Sequence, residues 1–246
     1  MFSYIVGFFA ILVLFYNPIS QLLSSEVPQI VRRPLPRQLN EDLFALESAH
    51  HNDSACPPAG YSVHIFSKAP LVLYVENFLL PEERAHLLEI SEPLYKPSTI
   101  THDGGASTHR DATVRDSEVA IVPRTSMVRC IEARVRALQG WRDEIWVERL
   151  RVQRYRTGGH YNHHFDWSTG RGGWGRNQDA AQGADEAGGE LQSGATFRPV
   201  AGNAVFWENF RPDGTGRGFD ETWHAGLPVQ KGVKVGLNIW SWGRID

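Results

Sequence analysis

Tyr161-Asn162-His163-His164-Phe165-Asp166-Trp167 is the stretch on which the reading of this chain turns. It contains His-x-Asp, and on an extended backbone residues i and i+2 point to the same face, so His164 and Asp166 are placed to grip one ion. By itself the triplet is weak, because chance copies on polar surfaces are common. A third ligand has to come from elsewhere. The best candidate is His224, in Thr222-Trp223-His224-Ala225-Gly226. Two imidazoles and one carboxylate on one face of an octahedral ion leave three positions open, a pattern that suits non-haem iron(II) working with oxygen and a chelating co-substrate. His160, His163 and His164 also crowd together, but no fourth ligand stands near them at zinc spacing.

Ten residues beyond His224 comes Lys234. Residues 234–242 alternate: Lys234, Gly236, Asn238 and Trp240 share one face of a strand, and Val235, Leu237 and Ile239 share the other. A lysine on the inward face of a β-core costs several kcal/mol unless it meets an anion, roughly 3–5 by analogy with broken buried pairs. A dicarboxylate co-substrate would be that anion. An exposed edge-strand lysine is the plain alternative.

Upstream, residues 146–155 alternate and predict another strand, closed by Tyr155; residues 204–207 and 71–75 predict two more. Pro81-Glu82-Glu83 opens a helix that Pro93 and Pro97 end. A second helix is expected over 124–138, with Met127, Cys130, Ile131, Val135 and Leu138 on one face and Gly140 as its stop. Residues 98–117 read as a polar loop. Helices first and strands after predict an α+β domain with a sandwich or barrel core.

Further residues carry a resemblance. Tyr155 stands nine residues before His164, and His224-Ala225-Gly226-Leu227-Pro228-Val229 is followed by Gly232, Lys234 and Trp240. Gly202-Asn203-Ala204-Val205-Phe206-Trp207, Pro97-Ser98-Thr99 and Val114-Arg115-Asp116-Ser117 complete the set. At these offsets residues 70–246 resemble the catalytic domain of prolyl 4-hydroxylase alpha subunits, in a form similar to fungal members. The resemblance implies a double-stranded β-helix (jelly-roll) core with flanking N-terminal helices. It implies Fe(2+) held by His164, Asp166 and His224. Lys234 would pair with the distal carboxylate of 2-oxoglutarate, with the Tyr155 hydroxyl assisting and Trp240 lining that pocket. O2 and L-ascorbate are the remaining cofactors implied. The implied reaction is hydroxylation of a C–H bond of peptidyl proline, in a proline-containing peptide or protein, in the endoplasmic reticulum. Members normally carry a long apolar strand after His-x-Asp. Here residues 168–195 hold eight Gly, with Trp174 and Leu191 as their large apolar side chains, so one core strand is expected to be missing. That predicts a β-core with an open edge and leaves an alternative reading, a catalytically impaired relative acting as a membrane-tethered binding protein.

Composition bounds the rest. The net charge of −3 and the lack of a dense Lys/Arg stripe argue against nucleic-acid binding. Oligomeric state is not legible. Two cysteines, Cys56 and Cys130, are too few for a disulfide framework or a thiolate zinc site, and read equally as a pair or as two small hydrophobes. Residues 1–23 predict a signal peptide or signal anchor: the apolar run 2–16 spans only about 22 Å as a helix, and Ile19, Leu22 and Leu23 stretch it to a marginal span. Arg32, Arg33 and Arg37 follow that run with no basic residue before it, which favours a cytoplasmic domain. The acceptor Asn52-Asp53-Ser54 favours the secretory lumen or endoplasmic reticulum membrane, the reading preferred here. Residues 24–60, rich in Pro and aperiodic, predict a linker, with the folded domain at 61–246.

Overall fold

The computed structural model describes residues 42–46, 56–102, 107–142, 145–167 and 194–243, all within the unit Asn40–Asp246. Strand β1 (Ser62–Lys68) and β2 (Leu71–Glu76) form an antiparallel hairpin, to which β10 (Ala204–Trp207) adds on the far side of β2. Alternation sorts this sheet into two faces. Val75, Leu73 and Ala204 turn to the core, and Tyr74, Val205 and Trp207 turn away from it. A second, four-stranded antiparallel sheet runs β12 (Lys234–Asn238), β8 (Arg151–Tyr155), β6 (Glu118–Ile121), β3 (Lys96–Pro97). Two small pairs complete the sheet structure around the site: β9 (Tyr161–His164) with β11 (His224–Gly226), and β7 (Ile145–Val147) with β13 (Ser241–Gly243).

Helix α1 (Pro81–Ser91) starts where Pro81 and two acids predict, and the Glu83 carboxylate reaches back to accept the Leu80 N–H at 2.9 Å. Helix α2 (Ser126–Leu138) is capped by Thr125, whose hydroxyl accepts the Val128 N–H at 3.2 Å, and Gly140 at φ +77° ends it. Val128, Ile131 and Val135 of α2 pack with Leu87 of α1 against Val122, Leu150 and Val152. Full burial of a side chain such as Ile131 or Leu150 contributes about 1.5–3 kcal/mol. Between the helices, Arg134 and Glu83 form a doubly hydrogen-bonded pair at 2.7 Å in the core, and Arg134 also donates to the Phe78 carbonyl at 2.8 Å. The helices thus cover one face of the large sheet. The other face, bearing Gln153, Tyr155 and Lys234, is left for the site.

Four expectations change. Residues 98–117 are not a plain loop: β4 (Ile100–His102) and β5 (Ser107–His109) pair within them, and Arg115 bridges to Tyr161. The single strands expected over 146–155 and 234–242 are each two strands. They break opposite one another, at 148–150 and 239–240, where the pairing passes from β8–β12 to β7–β13 and the Glu148 N–H bonds the Trp240 carbonyl at 2.8 Å. Side-chain alternation runs on through a break of this kind, so it gives no warning of it. Strand β1, with six of its seven residues exposed, was not foreseen at all. Residues 42–46, within the expected linker, lie along the core. Ala45 is buried, its N–H bonds Val147, and its carbonyl and that of Leu46 accept from Arg136 and Arg124.

Cys56 and Cys130 form a disulfide that ties residue 56 to α2. Residues 168–193, where a missing strand is expected, lie outside the described residues, as does the apolar segment 1–23. Among the described residues no helix is long and apolar enough to cross a membrane.

Candidate functional site

Antiparallel pairing of β9 and β11 makes His164 and His224 direct cross-strand partners. Two residues sixty positions apart thereby become neighbours, with ring centroids 4.3 Å apart. Asp166 follows β9 by two residues and turns back to both. Its Oδ1 lies 3.4 Å from His164 Nε2 and its Oδ2 lies 3.5 Å from His224 Nε2. One ligand atom from each of the three residues falls within 4.8 Å of the others, and this is the one such group of three or more among the described residues.

The two imidazoles are oriented by the same device. His164 Nδ1 donates to the Asn162 carbonyl at 2.7 Å, and His224 Nδ1 donates to the Thr222 carbonyl at 2.8 Å. Each bond reaches the residue two before the histidine and fixes the tautomer, leaving the Nε2 lone pair aimed at the cluster. Burial holds the His224 imidazolium below its usual range, with the His164 ring adding to the effect and the Asp166 carboxylate opposing it. A neutral ring is the form that coordinates. Two nitrogens and one carboxylate oxygen, converging with coordinating lone pairs inward, fit a divalent ion with an open face.

Packing locks these orientations. Tyr161 stacks on His164 at 3.7 Å, and the Arg115 guanidinium lies 4.5 Å over Tyr161. Trp207 meets His224 edge-on at 5.0 Å. Trp167, next to Asp166, donates its indole N–H to Thr222 Oγ1 at 3.0 Å, so the two ligand-bearing segments are tied to each other beside the cluster. A β-carbon at Gly218 would collide with the Trp167 ring, so that position has room for glycine alone.

Lys234 sits opposite Tyr155 in the β12–β8 register, with Nζ 5.0 Å from the Tyr155 ring centroid. It is half-buried, forms no ion pair among the described residues, and burial lowers its pKa. Tyr155 is buried and donates its hydroxyl to Gln153 Oε1 at 2.7 Å. Burial raises the phenol pKa, Arg115 lowers it, and Asp166 is near enough to raise it further. The Lys234–Tyr155 pair therefore lies within electrostatic reach of Asp166. Trp240 lies half-buried at the break between β12 and β13, held through its carbonyl. His163 is exposed and stacks on Trp223 at 6.0 Å, and His160 bonds the carbonyls of Gly158 and Thr113, so neither joins the group.

Sequence reasoning missed the two carbonyl acceptors, Tyr161, Trp207 and Trp167. The shared position two residues before each histidine is the one signal that could have marked Asn162 and Thr222. The aromatic contacts depend on tertiary packing.

Residues 150–242 match the 2OG-Fe(II) oxygenase superfamily. The chain is 31% identical over 188 residues to prolyl 4-hydroxylase subunit alpha-3 of Rattus norvegicus, covering 70% of this chain and 33% of that one. It is 24% identical over 258 residues to prolyl 4-hydroxylase 13 of Arabidopsis thaliana, covering 92% and 87%. The chain thus spans about a third of the length of the alpha-3 subunits it matches in rat and mouse. Among solved structures it is similar to the viral collagen prolyl hydroxylase of Paramecium Bursaria Chlorella virus-1, at a TM-score of 0.44 and 18% identity, covering 69% and 94%. The expected jelly-roll class agrees with the superfamily match, and the chain carries, over residues 150–242, a 2OG-Fe(II) oxygenase domain whose relatives are prolyl 4-hydroxylases.

Proposed function

We propose that this chain hydroxylates a C–H bond of peptidyl proline in an iron(II)- and 2-oxoglutarate-dependent reaction. The observation that carries the reading is the convergence of His164, Asp166 and His224 with both Nε2 atoms turned to one carboxylate. In this reading those three residues hold the iron, and Lys234, assisted by Tyr155 and lined by Trp240, takes the distal carboxylate of 2-oxoglutarate. The bound iron, with O2 and 2-oxoglutarate, supplies the oxidising power for oxygen insertion, and ascorbate keeps it ferrous. The protein's part is placement. Asn162 and Thr222 fix the imidazole tautomers, the half-buried ammonium gains an anion that offsets its desolvation, and Phe165, Trp167 and Trp223 pack beside the ligands and keep water from the metal. Proline as target is supported by the names of the relatives.

The disulfide and the Asn52 acceptor support a lumenal enzyme of the secretory pathway, with residues 1–23 as signal peptide or anchor and 24–60 as a connector whose residues 42–46 and Cys56 are fastened to the catalytic domain at 61–246. The test is release of carbon dioxide from 2-oxoglutarate by the purified full chain with iron(II) and a proline-containing peptide. Release should require iron and vanish in His224→Ala; a folded wild-type protein without turnover overturns the reading.

A further inference from the structure

The polar face of the large sheet continues beyond Lys234 and Tyr155. Two residues from that pair, Gly236 of β12 stands directly opposite Gln153 of β8. Alternation puts both on the face of Lys234 and Tyr155, about 7 Å along the strands from them. A β-carbon built on Gly236 would meet nothing within 4 Å, so the sheet leaves room there. Gln153 beside it is only 6% exposed. Its side chain offers one acceptor and two N–H donors. The acceptor is used, because Oε1 accepts the Tyr155 hydroxyl at 2.7 Å. The phenol's other neighbour fixes that arrangement: Arg115 lies within hydrogen-bond reach of it and can only donate, so the phenol oxygen accepts from Arg115 and turns its own proton to Gln153. The Gln153 amide nitrogen forms no hydrogen bond among the described residues. A buried donor left unmatched costs about 1–3 kcal/mol. Lys234, two residues from Gly236 on the same face, is the second unmatched donor, half-buried and without an ion pair among the described residues.

We propose that the Gln153 amide binds the distal carboxylate of 2-oxoglutarate above Gly236, together with the Lys234 ammonium, and that Tyr155 serves by holding the amide in that orientation. The inference rests on the oxygenase reading and adds a co-substrate contact to it. The chemistry of the two donors selects the ligand. A carboxylate takes the ammonium on one oxygen and the amide N–H on the other, so one group satisfies both. A neutral carbonyl would leave the half-buried charge of Lys234 uncompensated. Gly236 supplies the room, since a larger residue there would put its side chain where the carboxylate is to sit. In this arrangement Tyr155 is a positioning residue: it spends its proton on Gln153 and acts on the carboxylate through the amide.

The experiment measures binding without turnover, by calorimetry on the full chain loaded with cobalt(II). Two keto acids are compared: 2-oxoglutarate, and 2-oxopentanoate, which keeps the chelating end and carries a methyl group in place of the distal carboxylate. Gln153→Leu, which keeps most of the bulk, should weaken 2-oxoglutarate about tenfold, and Gln153→Glu, which sets one carboxylate against another, about a hundredfold. 2-Oxopentanoate should bind both variants within about twofold of the wild type, a split that a merely structural role for Gln153 would not produce. Tyr155→Phe should weaken 2-oxoglutarate by less than Gln153→Leu does, and should add nothing when combined with it. Unchanged 2-oxoglutarate affinity in Gln153→Leu, equal weakening of both keto acids, or full additivity of the two substitutions overturns the proposal. Those outcomes leave the oxygenase reading standing as long as the wild-type protein prefers 2-oxoglutarate. A wild-type protein that binds the two keto acids equally sinks the co-substrate assignment itself, and this proposal with it.

Discussion

At the scale of single residues the site consists of three side chains able to hold one ion, and their supports. Asp166→Ala removes the oxygens that face both imidazoles, and should weaken cobalt(II) binding, used as a stable probe for iron(II), by more than about 10²-fold in a spectroscopic titration. Lys234→Met should raise the KM for 2-oxoglutarate by roughly 10–100-fold, the loss of one charge-assisted bond, with little change in metal affinity. The pH response follows from His224. Its folded-state pKa lies below the ordinary 6.5, so as pH falls through that value the unfolded chain takes up a proton that the folded chain refuses. Metal-free protein should therefore lose stability between about pH 7 and pH 5, in melts with chelator present, and His224→Asn should flatten that slope. The convergence of His164 and Asp166 was legible in the sequence, since His-x-Asp on an extended segment declares its own geometry, and the structure brings His224 to the same place. Their orienting partners were not, because a backbone carbonyl has no side-chain signature.

Among the elements, local signals were read well where a single residue type sets the backbone. Pro81 and Gly140 mark helix ends that the structure keeps within two residues. The signals failed where pairing decides. Residues 146–155 alternate without interruption, yet Glu148 bonds Trp240 and the strand changes partner, a long-range event that periodicity does not encode. The polar hairpin β4–β5 escaped for the same reason. What joins α1 to α2 is the buried Glu83–Arg134 pair, and its removal gives a sharp expectation. Arg134→Met should cost about 3–5 kcal/mol in chemical denaturation by stranding a buried carboxylate, and Glu83→Leu in the same chain should recover a large part of it. Gly218→Ala should act on the site through an element, not a ligand. The new methyl displaces Trp167 and with it the Thr222 bond, and cobalt(II) affinity should fall by about tenfold with the three ligands intact.

For the whole molecule, the disulfide links positions 74 residues apart and so restrains a large part of the unfolded chain. Replacing Cys56 and Cys130 with serine should lower stability by roughly 4 kcal/mol on the loop-closure estimate, measured by urea titration under oxidising conditions, with little effect on turnover. The pairing was open in the sequence because two cysteines give no spacing pattern to read. Residues 42–46 bear on how the protein should be handled in the laboratory. A recombinant product cut at residue 61, where composition suggests a clean start, would strip two carbonyls from the guanidinium groups of Arg124 and Arg136 and uncover Val147. Such a truncation would arrive with an unfinished seam along α2 and lack Cys56 as well, leaving Cys130 as a stray thiol. Expression from residue 40 onward keeps the seam closed.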